Sequence, residues 1–160
     1  MSSSALDSKR ELLRHLVATL AFRGGTAVRD APEDFSDFRA GANARSAGEI
    51  LAHIGDCIQG SRYLMKGEFI HLQSPARSWA QDVKRFFSAV GDFDSYLASD
   101  APLAQPVEKI LQGPIADALT HVGQLVMLRR LAGNPVQAES YFAVELTAGE
   151  VAQRYFPEFV

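Results

Sequence analysis

Residues 79–97, WAQDVKRFFSAVGDFDSYL, carry an apolar side chain at every third or fourth position. Positions with this spacing share one face of an α-helix, so the stretch predicts a helix with a single narrow apolar stripe. Such a stripe is typical of the seam of a helical bundle and much less often of a cofactor site. It consists of Trp79, Val83, Phe86, Val90, Phe93 and Leu97. Ser74 and Pro75 resemble a helix cap and first position, so the helix is predicted over about 75–99.

The preceding helix is predicted over residues 47–66. Ser46 and Glu49 have the spacing of a capping box, in which each residue satisfies a backbone N–H group near the other. His53 lies at one edge of the apolar stripe of this helix. The stripe itself is expected to be buried and consists of Ile50, Leu51, Ile54, Ile58 and Met65.

A first helix is predicted over about residues 5–22, because Leu13, Val17 and Leu20 recur at helical spacing. The Gly24–Gly25 pair predicts its end. The connection that follows, to about residue 45, is long for a compact domain, and loops of this length often cover a site or cross over a fold. Phe35 and Phe38 are expected to attach it to the bundle.

The last bundle helix is predicted over about residues 114–132, with a kink at Gly113–Pro114 because proline lacks a backbone donor. Its apolar residues surround the helix, which predicts that a second subunit covers part of it and that the protein is a homodimer. A short aromatic extension over residues 136–160 adds apolar surface. Its aromatic residues include Tyr155, Phe156 and Phe159. With no strand-period segment, the prediction is an all-α four-helix bundle forming one domain over residues 1–160.

Composition excludes several classes of protein. The 160 residues are 47% hydrophobic and 22% charged, unlike a disordered chain. The net charge of −3 gives no basic surface for nucleic acid or an anionic membrane, and no apolar run is long enough to span a bilayer. Cys57 is the single cysteine, which excludes an intramolecular disulfide and a cysteine-rich zinc site. The first residues lack the features of a signal peptide, so a cytoplasmic location is expected.

Asp117 and His121 stand four positions apart on the last helix, so their side chains share one face. A carboxylate and an imidazole at this spacing can share a metal ion, although a plain Asp–His hydrogen bond or an exposed helix pair has the same spacing. If the second and last helices are neighbours, His53 completes a set of two histidines and one carboxylate. Such a set leaves positions open for water or substrate, as catalytic metal sites do.

Four residues near these three are open to two interpretations. Glu49 and Asp56 flank His53 and are either hydrogen-bond partners of its ring or, as we favour, solvated helix charges. Gln124, one turn from His121, is a candidate for orienting a bound water. Cys57, one turn from His53, is either reactive or, as we favour, a small hydrophobic residue.

Two stretches resemble the DinB-like family of metal-binding four-helix bundles. Residues 47–54, AGEILAHI, resemble the second-helix motif of that family. Residues 118–125, ALTHVGQL, with RRLAGNP at residues 129–135, resemble its last bundle helix. The order and spacing of the helices fit the family over about residues 6–135. Either motif alone is weak, whereas the two together are moderately specific.

The resemblance implies a divalent metal site, with zinc or nickel expected and iron as another option. His53 matches the second-helix ligand, and His121 matches the final ligand of the family. Asp117 stands where the family has a histidine, and the thiol-dependent maleylpyruvate isomerase branch of the same superfamily has a glutamate there. The implied ligand set is therefore His53, Asp117 and His121.

Two functional hypotheses follow. In the first, the protein is a metal-dependent transferase, isomerase or hydrolase acting on a small molecule, with Asp117 transferring the proton. A low-molecular-weight thiol is a further cofactor implied by the resemblance. The substrate is expected to enter between the bundle and the connection around Phe35. In the second, the protein is a non-catalytic helical dimer, active in a stress response or in ligand binding, whose metal site has degenerated at Asp117.

Overall fold

Helices and turns make up the secondary structure in the computed structural model, which describes residues 3–150, with side chains from residue 6 onwards. The helices are α1 (Ser3–Val28), α2 (Ala47–Lys66), α3 (Trp79–Ala98), α4 (Val107–Ile110) and α5 (Ala116–Leu131), with a 3-10 turn at Glu33–Asp37. The described residues contain no strand. The prediction of an all-α four-helix bundle is therefore confirmed, with α1, α2, α3 and α5 as its members.

The packing order of the helices explains the long connection between the first two. Both α1 and α2 pack against α3 and α5, so α1 and α2 lie at diagonally opposite corners of the bundle. The chain from 29 to 46 must therefore cross the bundle rather than turn back on itself. The same order makes α2 and α5 neighbours, which is the condition that the predicted metal site required.

The apolar face of α3 forms the seam, as its periodicity predicts. Its six stripe residues are at most 4% exposed, and Phe86 and Phe93 are completely buried. The helix begins at Trp79, however, and not at Pro75. Ser78 accepts a hydrogen bond from the Gln81 backbone, and the Gln81 side chain accepts one from the Ser78 backbone. Ser74 instead donates both its backbone N–H and its hydroxyl to the Asp56 carboxylate, at 2.8 and 2.7 Å.

The predicted end of α1 at Gly24–Gly25 is wrong, because the helix continues to Val28. Gly24 lies where α1 and α3 touch. A Cβ atom built on Gly24 would lie 2.4 Å from Cζ of Phe86. The glycine therefore permits a close approach of two helices, and the surrounding packing offsets its low helix propensity.

A Gly24→Ala substitution is expected to destabilise the protein by about 1–3 kcal/mol, because the added methyl group overlaps a buried ring. The matched control is Gly91→Ala, since a Cβ atom at this position of α3 would meet nothing within 4 Å. Alanine there is expected to stabilise the helix by up to about 1 kcal/mol. Chemical unfolding followed by circular dichroism measures both changes. Similar changes in the two variants would mean that Gly24 is not a packing residue.

The kink predicted at Gly113–Pro114 is present. Residues Leu111–Ile115 form a π-helical turn between α4 and α5, and Gly113 leaves the helical region with φ −95° and ψ −105°. The last bundle helix spans Ala116–Leu131, slightly shorter than the predicted 114–132. The turn brings Asp117 into the first turn of α5.

Part of the apolar surface of α5 remains exposed. Its inner face is buried, whereas Met127 and Leu131 are 52% and 58% exposed. Of the C-terminal extension, Tyr141 packs edge-on against Phe22 with ring centroids 6.4 Å apart. The other aromatic residues assigned to the predicted dimer surface, Tyr155, Phe156 and Phe159, lie outside the described residues. The homodimer stays a prediction.

Arg129 joins the end of α5 to the end of α1. Its side chain is 2% exposed, and its guanidinium donates to the backbone carbonyls of Ala27, Arg29 and Asn134 at 2.8–2.9 Å. Carbonyl groups at a helix end lack hydrogen-bond partners within the helix. Here the guanidinium of Arg129, from α5, donates hydrogen bonds to the carbonyl groups at the end of α1. The sequence pattern gave no indication of this role. None of the helices in the described part of the chain has the length and apolarity needed to cross a membrane.

Candidate metal centre

Three side chains from two neighbouring helices meet at one end of the α2–α5 interface. His53 projects from α2, and Asp117 and His121 project from successive turns of α5. The Nε2 atom of His53 lies 3.1 Å from Oδ2 of Asp117, and the Nε2 atom of His121 lies 3.5 Å from Oδ1. The two imidazole rings meet edge to face, with centroids 4.7 Å apart. The predicted convergence of these residues is present.

The separations of the donor atoms fit a shared metal ion. One donor atom from each side chain lies within 4.8 Å of the other two, so the cluster can hold a metal ion. Ligands arranged tetrahedrally at about 2.0–2.1 Å from zinc are about 3.3 Å apart. The distances of 3.1 and 3.5 Å are close to that value, and they end on the two different oxygen atoms of Asp117.

Gln124 orients one of the two histidines. The Nδ1 atom of His121 donates to Oε1 of Gln124 at 2.7 Å. A proton held on Nδ1 leaves Nε2 unprotonated and able to bind a metal, which is how hydrogen-bonded neighbours select the tautomer of ligating histidines. Gln124 was a candidate for orienting a water molecule, whereas its observed partner is the His121 ring.

Asp117 is a carboxylate at neutral pH. Burial raises its pKa, but the hydrogen bond from His53 and the charge of His121 lower the pKa by more, and the net shift is downwards. Half of its side chain remains exposed, compared with 32% for His53 and 13% for His121. The cluster is therefore anchored by its histidines and open to solvent on the side of the aspartate.

Cys57 lies beside the cluster as a neutral thiol. Its Sγ atom donates to Oδ2 of Asp117 at 3.5 Å and lies 3.6 Å from Nε2 of His53. Burial, followed by the negative charge of Asp117, raises the pKa of the thiol to about 12. Because the thiolate is the nucleophilic form, these contacts favour the small hydrophobic interpretation of Cys57 over a reactive one.

Glu49 and Asp56 are not partners of His53. Glu49 accepts from the Ser46 backbone and forms an ion pair with Arg39, as an exposed helix-cap residue. Asp56 is neither a partner of His53 nor a solvated helix charge, because it is 6% exposed and forms a buried ion pair with Arg85. It holds the loop before α3 against α2.

A cleft of about 700 Å³ opens from the three donor residues, His53, Asp117 and His121. One wall comes from the connection between α1 and α2 and includes Ala40, Ala44 and Arg45, and the other follows α5 to Leu131. The cleft lies between the bundle and this connection, where the sequence predicts that a substrate enters. Phe35 does not line it, because its ring is buried edge-on against Trp79 at 5.2 Å. A second cleft, of about 740 Å³, lies on the far side of His53 and Arg45 along residues 71–76.

Arg45 is a cleft residue that the sequence pattern did not indicate. Met127 and Leu131 belong to the apolar residues around the last helix, from which the homodimer was predicted. Arg45 precedes the cap of α2 by one residue and stands eight positions before His53, about two helical turns away. This closeness to His53 in the sequence was the signal by which Arg45 could have been identified as a candidate site residue. Comparisons of the chain with models of known protein families, with curated proteins and with solved structures found no match.

Proposed function

We propose that the protein is a metal-dependent enzyme that acts on a small molecule. The observation that carries the proposal is the cluster of His53, Asp117 and His121, whose donor atoms lie within 4.8 Å of one another at the end of a cleft. Zinc or nickel is the proposed metal, with iron as the other option. Two imidazoles and one carboxylate suit such ions and leave positions for water or substrate.

A divalent ion held by these residues would lower the pKa of a bound water or thiol and generate a nucleophile near neutral pH. The chain's own residues supply the rest. Asp117 is the carboxylate among the described residues that line the cleft, and its lowered pKa keeps it ionised at neutral pH. We assign the transfer of the proton to this carboxylate. Gln124 keeps the Nδ1 proton of His121 in place.

The reaction class is proposed as transfer, isomerisation or hydrolysis, through the resemblance to the DinB-like bundles. That resemblance also leads us to propose a low-molecular-weight thiol as a second reactant. The cleft volume of about 700 Å³ supports a small-molecule substrate, because ligand pockets usually measure about 300–1,000 Å³.

Metal analysis of the purified protein tests the proposal. One divalent ion per chain is expected, together with its loss in a His121→Ala variant. The matched control is His15→Ala, because His15 is exposed on α1 and does not belong to the cluster. This control should keep the full metal content.

A metal-free protein with normal stability would contradict the enzyme and favour the alternative, a non-catalytic helical dimer. Retention of the metal in the His121→Ala variant would show that the ion binds elsewhere. Sedimentation at micromolar concentration decides the proposed homodimer separately, since a single chain has a mass of 17.4 kDa.

A further inference from the structure

The cleft beside the candidate metal centre contains a cation that the proposed reaction does not use. Arg45 is exposed at the rim and forms no ion pair with any residue from 6 to 150. The neighbouring carboxylate of Glu49 is already held by Arg39, at 2.9 and 3.1 Å, and by the Ser46 backbone at 2.8 Å. The positive charge of Arg45 is therefore free to meet an anion in the cleft.

The same cleft has an exposed apolar wall. Met127 and Leu131 stand four positions apart, so their side chains lie on one face of α5, and both line the cleft. They are 52% and 58% exposed. Leu131 lies ten residues beyond His121, or about 15 Å along the helix axis. The cleft therefore extends from the three donor residues along an apolar surface to the last turn of α5.

Charge complementarity selects the ligand class. Arg45 is the one arginine or lysine among the described residues that line the cleft, and its charge balances that of Asp117 before any metal binds. A bound divalent ion would make the cleft positive overall. A guanidinium binds a carboxylate or a phosphate through two parallel hydrogen bonds. Of the two, the singly charged carboxylate matches the single positive charge of Arg45. Arg45 also lines the second cleft, but the described lining of that cleft does not include the exposed apolar wall of Met127 and Leu131.

We propose that the substrate is a small carboxylic acid with an apolar body, whose carboxylate binds Arg45 and whose apolar part packs on Met127 and Leu131. The inference rests on the proposed function only in placing the reacting part of that acid at the metal. Recognition by Arg45 and by the apolar wall requires no metal.

Titration calorimetry with octanoate and its neutral analogue octanamide tests the proposal. The protein is used both as purified and after treatment with EDTA, so that a bond between the carboxylate and a metal can be separated from binding to Arg45. Octanoate is expected to bind about tenfold or more tightly than octanamide in both forms, because only the carboxylate forms charge-assisted hydrogen bonds with the guanidinium. A preference that disappears with EDTA would place the carboxylate on the metal and overturn the proposal.

Three variants assign the contacts. Arg45→Gln is expected to abolish the preference for octanoate, whereas Arg130→Gln, which removes an exposed charge from α5 outside the cleft lining, should retain it. Met127→Ser should weaken both ligands by a similar factor. Equal loss in the two arginine variants would indicate a general charge effect, and absence of octanoate binding would refute the assigned ligand class. Circular dichroism checks that each variant is folded.

These outcomes are separate from those of the metal analysis. A chain that binds no metal but prefers octanoate through Arg45 would retain the carboxylate site and lose the proposed enzyme. A chain that binds metal but does not distinguish the two ligands would retain the proposed enzyme and lose this substrate class.

Discussion

Replacing Asp117 with alanine is expected to lower metal affinity by more than about 100-fold, because the loss of an outer hydrogen-bonding partner alone already costs about 10–100-fold. The stability of the metal-free protein should change by less than about 1 kcal/mol. The side chain is half exposed, and its interactions with His53 and His121 are those of an open ion pair. Competition with a chelating dye measures the affinity, and thermal unfolding in EDTA measures the stability.

Two further variants make this experiment specific. Asp92→Ala removes a carboxylate of similar exposure that pairs with Arg62, and it should leave metal affinity unchanged. Asp117→His supplies an imidazole at the position where the resembling family has one, so it should restore metal binding that alanine removes. If Asp117→Ala instead keeps the metal and lowers the melting temperature in EDTA, Asp117 is a structural residue.

Replacing Trp79 with alanine is expected to destabilise the protein by about 3–5 kcal/mol, the usual cost of removing a buried large aromatic side chain. Trp79 is 4% exposed at the first turn of α3 and packs against the buried ring of Phe35. Its loss would leave a cavity where the connection between α1 and α2 attaches to the bundle. Because Trp79 is the single tryptophan, urea unfolding should be followed by circular dichroism rather than by fluorescence.

The control for this prediction is Trp79→Phe, which keeps an aromatic ring in the seam and should cost much less than alanine. Metal affinity of the folded Trp79→Ala protein should stay near that of the parent, because the donor residues lie on α2 and α5. A loss of stability below about 1 kcal/mol would mean that neighbouring side chains fill the space of the missing ring and that Trp79 is not a main contributor to the seam.

The local pattern of the sequence determined α2 and the buried face of α3. The Ser46–Glu49 capping box begins α2 where predicted, and the kink predicted at Gly113–Pro114 is also present. These features depend on residues within about four positions of one another, where hydrogen bonds of a helical turn are made. The spacing of Asp117 and His121 is a local feature of the same kind, so two of the three residues of the candidate centre followed from local geometry.

Contacts between distant residues decided what the local pattern left open. Ser74 was the predicted cap of α3, but Asp56, eighteen residues before it, holds Ser74, and Ser78 caps the helix instead. Gly24 and Gly25 are ordinary signals for the end of a helix, but α1 continues past them because Gly24 packs against Phe86 of α3. In both cases the free energy of a tertiary contact exceeds the local preference.

The candidate centre itself needed both levels. The sequence supplied the three donor residues, yet their meeting depends on α2 and α5 being neighbours, which helical periodicity does not encode. The position of Arg45, on which its proposed role depends, follows from the tertiary structure still more strongly, because the connection that carries it has no periodicity and is attached to the bundle by Phe35. Local propensity acts along a few residues of the chain, whereas a binding cleft forms from surfaces that only the packing of the whole bundle brings together.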